Sequence, residues 1–246
     1  MEFLSLQNIL FMTPILFLAL PVHEFAHGWV ASKLGDPTAK IAGRLSFNPF
    51  RHLDLVGVLM MYTVGFGWAK PVPVNFSNLK NRRSGIILVA LAGPLSNILL
   101  AFTSMLISGV IAKLIDLGII VIGSERLLRF LYYVSLFFFF LVIVNINLAI
   151  FNMLPVPPLD GSRLISAFVP EEAYYRFARY EQYIGLIFLA IVILVPNDFI
   201  SGFIRSVAEP VFRSMILTVQ AILGINADND FWLLIQYFAM QLFGHL

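Results

Sequence analysis

The sequence predicts an all-α, polytopic membrane protein, on three observations. Hydrophobic residues make up 59% of the 246-residue chain and charged residues 12%, against about 25% charged in soluble domains. Several stretches reach the roughly 18 apolar residues that cross a bilayer. The segments between them carry Gly/Pro breaks and clustered basic residues, as loops between spans do. The net charge of +2 is too small to suggest nucleic-acid binding, and the absence of Cys excludes disulfides and thiolate metal sites. Any zinc must therefore use His and carboxylate ligands.

The first predicted span is 9–32. It closes at Leu34-Gly35-Asp36-Pro37, where Gly can cap the helix and Pro stops it. The start of the chain lacks a basic region and no small-residue cleavage site follows the apolar run, so a retained helix is expected rather than a signal peptide. Residues 55–74 are apolar but broken by Gly57, Gly65, Gly67, Pro71 and Pro73. That is poor helix material, expected as a short β-like sheet or re-entrant segment at membrane depth, where protein or a hydrated cavity must surround it. The second span is 86–111, with Gly93-Pro94 as a kink or unwinding point. The third, 127–154, runs through four consecutive Phe into the Pro-rich Pro155-Val156-Pro157-Pro158. A short fourth span is expected over 183–195, and interfacial amphipathic helices over 199–223 and 231–243.

Basic residues orient the spans. Residues 33–83 hold eight: Lys33, Lys40, Arg44, Arg51, Lys70, Lys80, Arg82 and Arg83. That loop is expected on the cytoplasmic side. The C-terminal ends of the first and third spans then share that side.

Residues 23 to 27 read His-Glu-Phe-Ala-His inside the first span. Two imidazoles four residues apart are about 40° apart around a helix and face one side. They can grip one metal ion, with the intervening Glu24 beside its open position. A catalytic zinc usually takes three protein ligands and a water. Asp160, in Pro157-Pro158-Leu159-Asp160-Gly161, follows the third span at the same membrane level and is the expected third ligand. Glu24, beside that open position, is placed to act as a base.

His23-Glu24-Phe25-Ala26-His27, taken with Asn152-Met153-Leu154-Pro155-Val156-Pro157-Pro158-Leu159-Asp160-Gly161, resembles the site-2 protease family of intramembrane zinc metalloproteases. The stretch Ala42-Gly43-Arg44-Leu45-Ser46-Phe47-Asn48-Pro49 with His52 and Asp54, and the stretch Leu91-Ala92-Gly93-Pro94-Leu95-Ser96-Asn97, look like its compact microbial branch without PDZ or CBS domains. The resemblance covers about residues 20–165. It implies one zinc per chain held by His23, His27 and Asp160, with Glu24 as general base. Asn152 would support the tetrahedral intermediate. The reaction would be peptide-bond hydrolysis within or near a transmembrane helix of a membrane-protein substrate. A single membrane peptidase domain over 1–246 is expected, with a three-span core at about 7–165 and accessory helices at about 180–246. The chain would lie in the cell membrane with its active site toward the cytoplasm. The amphipathic tail leaves room for a homo-oligomer.

Plainer readings stand beside these. The two His could be a hydrogen-bonded polar pair, though intramembrane ionisable residues are usually functional. Asp160 could cap the helix that follows it. Asn152 could serve as interhelical glue, as Asn97, Asn145 and Asn147 could. His52 and Asp54 fit an interfacial pair as well as a supporting role, and His245 lies at a terminus. A membrane zincin of the CAAX-prenyl-protease type would need a Glu as third ligand, with Glu171, Glu172 and Glu181 as candidates. An inactive scaffold with a relic site is the other alternative.

Overall fold

The computed structural model describes residues 6–64, 67–121, 123–169, 179–194, 198–225 and 233. The architecture is all-α, and among the described residues no strand forms. In chain order the α-helices are α1 (Leu6–Lys33), α2 (Thr38–Ile41), α3 (Leu55–Val64), α4 (Arg82–Asp116), α5 (Glu125–Asn152), α6 (Asp160–Ser166), α7 (Glu181–Leu194) and α8 (Asp198–Leu223). Four are long and apolar enough to cross a membrane: Met12–Lys33 within α1, all of α4 and α5, and Gly202–Leu223 within α8. With backbone polar groups unable to find water in lipid, each span closes its hydrogen bonds internally as a helix. The chain divides into two compact units, Met1–Asn97 with Leu148–Ser201, and Ile98–Asn147 with Gly202–Leu246.

In the first unit α1 continues through Pro14 and Pro21 and stops where Gly35 adopts φ +113°. Asp36 N–H donates to Ala31 O at 2.9 Å and Gly35 N–H to Ser32 O at 3.4 Å. These are the paired bonds of a Schellman cap, which glycine favours because a Cβ disfavours positive φ. The Asp36 carboxylate, fully buried, then accepts from Thr38 N–H and Oγ1, from Asn75 N–H and from Asn78 Nδ2. Burial works against its charge, but the bonds from Thr38, Asn78 and Asn75 hold its pKa below the ordinary value.

Residues 45–64 turn back along α1. Phe47 stacks on Phe25 with ring centroids 4.1 Å apart, Phe50 meets Phe17 edge-on at 5.8 Å, and the Tyr62 hydroxyl bonds Thr13 Oγ1. As the residue number rises from 47 to 62, its partner on α1 falls from 25 to 13. The segment therefore runs antiparallel to the span for about 18 Å. This is the re-entrant alternative of the two expected for 55–74. The sheet alternative shrinks to one isolated antiparallel bridge, Leu53–Ala69. The expectation of poor helix material is corrected for 55–64, which is helical: Asp54 Oδ1 accepts from Gly57 N–H at 2.9 Å and caps the turn, and an apolar run without water does best as a helix. The glycines serve close approach. A Cβ on Gly57 would strike the Trp68 carbonyl, and one on Gly67 the Gly57 carbonyl.

In the second unit α8 buries Ala208, Phe212, Met215, Ile216 and Val219, one helical face at the spacing of an amphipathic helix. Gly109 admits Val219 and Leu223, and Phe139 meets Phe212 edge-on at 5.9 Å. The expected amphipathic pattern over 199–223 is present, but the helix passes straight through Pro210 and is long enough to span. Conversely, α7 is a 14-residue helix, short for a crossing. Helix α4 is likewise continuous through Gly93-Pro94, so no unwinding occurs there. The expected helix over 231–243 and His245 lie outside the described residues, Leu233 apart.

Candidate metal centre

Helical spacing on α1 sets His23 and His27 on one buried face, with ring centroids 4.6 Å apart. The third donor comes from beyond α5. After Asn152 the chain turns through Pro155, Pro157 and Pro158 and enters α6 at Asp160. Gly161 lets that helix start against the preceding turn, since a Cβ there would collide with the Met153 and Leu154 carbonyls. The residue at the N-cap position is Leu159, with no side-chain cap bond, and Asp160 is the first helical residue. The capping alternative for Asp160 is thus not what forms. Its Oδ2 lies 3.2 Å from Nε2 of both His23 and His27.

The three donor atoms form a small triangle, closed by a 3.0 Å separation of the two Nε2 atoms. Donors bonded tetrahedrally to zinc at about 2.0–2.1 Å would stand about 3.3 Å apart. The donor set, two imidazoles and one carboxylate, is one that zinc takes in hydrolases. His27 Nδ1 lies 2.7 Å from the Val89 carbonyl, which can only accept, so Nδ1 carries a proton, and in the neutral form of the ring it is Nε2 that offers its lone pair to the triangle. Two imidazole nitrogens and a carboxylate oxygen converging in a buried space form a donor set suited to a cation. His23, His27 and Asp160 are the one such group among the described residues.

Room for the triangle comes from Gly93 on α4. A Cβ there would collide with His27 Nε2 and would lie 2.5 Å from His23 Cε1. Expected as part of a kink or unwinding point, Gly93 leaves space for two rings. Glu24, half-buried and between the two histidines in sequence, accepts from Val72 N–H through Oε2 at 2.7 Å. Asn152 is not joined to the triangle, because its Nδ2 donates to Leu148 O at 2.9 Å on its own helix. His52 is fully buried and bonds the Ser46 carbonyl through Nε2 at 2.7 Å, so it tightens the loop before α3. Of the carboxylates weighed against Asp160, Glu181 faces Arg163 at 3.6 Å, and Glu171 and Glu172 lie outside the described residues.

A multi-pass helical fold with a His-His-Asp triangle and a carboxylate between the two His defines a membrane metallopeptidase architecture. The comparisons agree with it. The profile of Peptidase family M50 matches residues 11–195. The chain is 38% identical over 190 residues to "Putative zinc metalloprotease YwhC" of Bacillus subtilis, covering 77% of this chain and 82% of that protein. It is 26% identical over 187 residues to Rip2 of Mycobacterium tuberculosis, covering 73% of this chain and 65% of Rip2, and 30% identical over 145 residues to MJ0611 of Methanocaldococcus jannaschii, covering 58% and 62%. Both carry the same designation as YwhC. No solved structure gives a significant match. The chain belongs to peptidase family M50, the site-2 protease family. It is accordingly a multi-pass membrane protein of the zinc metalloprotease class.

Proposed function

We propose that the protein is an intramembrane endopeptidase that hydrolyses peptide bonds within or near transmembrane segments of other membrane proteins. The observation that carries this reading is the buried triangle of His23 Nε2, His27 Nε2 and Asp160 Oδ2, built partly on a span-length helix. His23, His27 and Asp160 would hold one zinc ion. When bound, zinc polarises the scissile carbonyl and makes water available as a nucleophile near neutral pH. The chain's own contribution is proton transfer and orientation. Glu24 takes the proton of the attacking water as its oxygen adds to the carbonyl carbon, and returns that proton to the departing amine nitrogen as the C–N bond breaks. Asn152 is the proposed donor toward the oxyanion, a role that requires its side chain to turn away from Leu148. The eight basic residues over 33–83 support a site toward the cytoplasmic face.

The test is zinc content per chain in detergent-purified protein, paired with cleavage of a dye–quencher-labelled membrane-spanning peptide in vesicles. Wild type should hold one zinc and cut. His27→Ala and Asp160→Ala should lose both properties, and Glu24→Gln should keep zinc and lose roughly 10²–10⁴ in rate. Zinc retained by Asp160→Ala, or full cleavage by Glu24→Gln, would overturn the assignment.

A further inference from the structure

We infer that the main-chain N–H of Val72 is the positioning donor for Glu24, presented by the return limb of the re-entrant segment. The inference rests on the reading of Glu24 as the general base. Val72 N–H meets Glu24 Oε2 at 2.7 Å across 48 residues of sequence. Pro71 and Pro73 flank it and carry no N–H, so Val72 is the sole main-chain donor of 71–73. Pro73 also confines Val72 to extended backbone, the conformation that turns a strand-like N–H sideways toward α1.

The limb is pinned just before that donor. Lys70 N–H donates to His52 O at 2.8 Å, and Arg44 Nη2 donates to Lys70 O at 2.6 Å. His52 in turn is tied to the Ser46 carbonyl, and Ala69 bridges to Leu53. The Val72 side chain is buried and seats against Gly28, one turn beyond Glu24 on α1; a Cβ on Gly28 would lie 3.0 Å from Val72 Cγ1 and 2.8 Å from Leu45 Cδ2. Main chain and side chain of one residue thus dock on the turn of α1 that carries the acid. With Oε2 engaged, the carboxylate loses its rotational freedom during folding, and Oε1 is left to face the reacting water. The orientation is set before substrate arrives, which is where positioning contributes to rate. Arg44 and His52 act through Val72 and are positioning residues at one further remove.

Two measurements on the full-length protein in detergent test this. Val72 carries the only exchangeable main-chain amide between Lys70 and Val74, so hydrogen–deuterium exchange reports it singly. Glu24→Ala should accelerate that exchange by roughly tenfold or more, as loss of a hydrogen bond to a charged group does. Unchanged exchange would refute the contact. The second measurement compares Val72→Pro, which deletes the N–H while keeping extended backbone, with Val72→Ala, which keeps the N–H. On the labelled membrane-spanning peptide, kcat should fall roughly 10²-fold further in Val72→Pro than in Val72→Ala, with KM and zinc content alike in both. Equal kcat values, or a difference confined to KM, would overturn the inference. Should Val72→Pro fail to fold, Arg44→Ala takes its place: it should lower kcat at constant zinc, with partial recovery in Arg44→Lys, which can still donate to Lys70 O, and no effect on kcat would count against the proposal. Full activity in Glu24→Gln would sink the catalytic reading itself. An inactive Glu24→Gln beside equal Val72→Pro and Val72→Ala would sink the Val72 role alone.

Discussion

Two largely buried carboxylates stand next to helix termini in the first unit, Asp36 after α1 and Asp160 at the start of α6, and their surroundings are opposites. Asp36 is met entirely by protein donors, the N–H and hydroxyl of Thr38, the Asn75 N–H and the Asn78 amide. Asp160 is met by two imidazole nitrogens at 3.2 Å each, one of which is an acceptor by virtue of the Val89 contact at its far side. A carboxylate whose lone pairs are filled by its own chain needs nothing more and holds structure. A carboxylate that meets imidazole nitrogens in a buried space is suited to completion from outside, by a cation. The difference separates a structural acid from a candidate ligand without reference to how conspicuous either is in the sequence.

The sharpest way to break that contrast is to delete each acid in turn. Asp160→Ala should drop zinc to background and abolish cleavage, while the helical content by circular dichroism stays that of wild type; retention of zinc would erase the contrast. Gly93→Ala comes next. Its methyl must displace the ring of His27 or His23, so zinc affinity, measured by chelator competition, should weaken by roughly 10–100-fold, the scale seen when a ligand's support is disturbed. An unaltered affinity would show that the rings have slack. Asp36→Ala should do the reverse of Asp160→Ala: zinc bound normally in the folded fraction, but stability lower by about 2–5 kcal/mol, because several buried donors lose their acceptor. Thermal unfolding in detergent at fixed zinc reads this directly.

The smallest effect is a pH dependence. The Asp36 carboxyl titrates below its ordinary 3.8 in the folded chain, so between the two values the unfolded chain binds more protons and stability rises with pH. The contribution is complete above about pH 4–5 and is lost as pH falls through the folded value. The melting temperature of wild type should therefore fall more steeply on acidification below about pH 4 than that of Asp36→Asn. Parallel curves would show that the four donors do not stabilise the charge.

Much of the fold was legible because membrane solvent makes simple demands. Long apolar runs become helices, and 9–32, 86–111 and 127–154 fall inside α1, α4 and α5 but for a few terminal residues. Glycine at 35 ends a helix for a local reason. Where reading failed, the competing information was not local. Residues 55–64 looked poor for a helix because Gly57 breaks the pattern, yet that glycine is there for the Trp68 carbonyl, and the helix forms around it. By contrast, the stretch 199–223 is helical and amphipathic as expected, with a buried face from Ala208 to Val219. Gly93 read as a break in a helix, when it is a space reserved for side chains of another helix.

By itself the sequence determined the solvent, the helical class and the i, i+4 pairing of His23 with His27, because each depends on composition or on helical period alone. It also placed Glu24 between them. The tertiary structure decided which carboxylate meets the imidazoles, what fixes the tautomer of His27, and what holds Glu24. Asp160, Val89 and Val72 stand 133, 62 and 48 residues away from their partners, on separate elements with no shared period. Such contacts exist only once the re-entrant limb, α4 and the turn after α5 have packed against α1, and packing is a property of surfaces brought together rather than of any segment that supplies them.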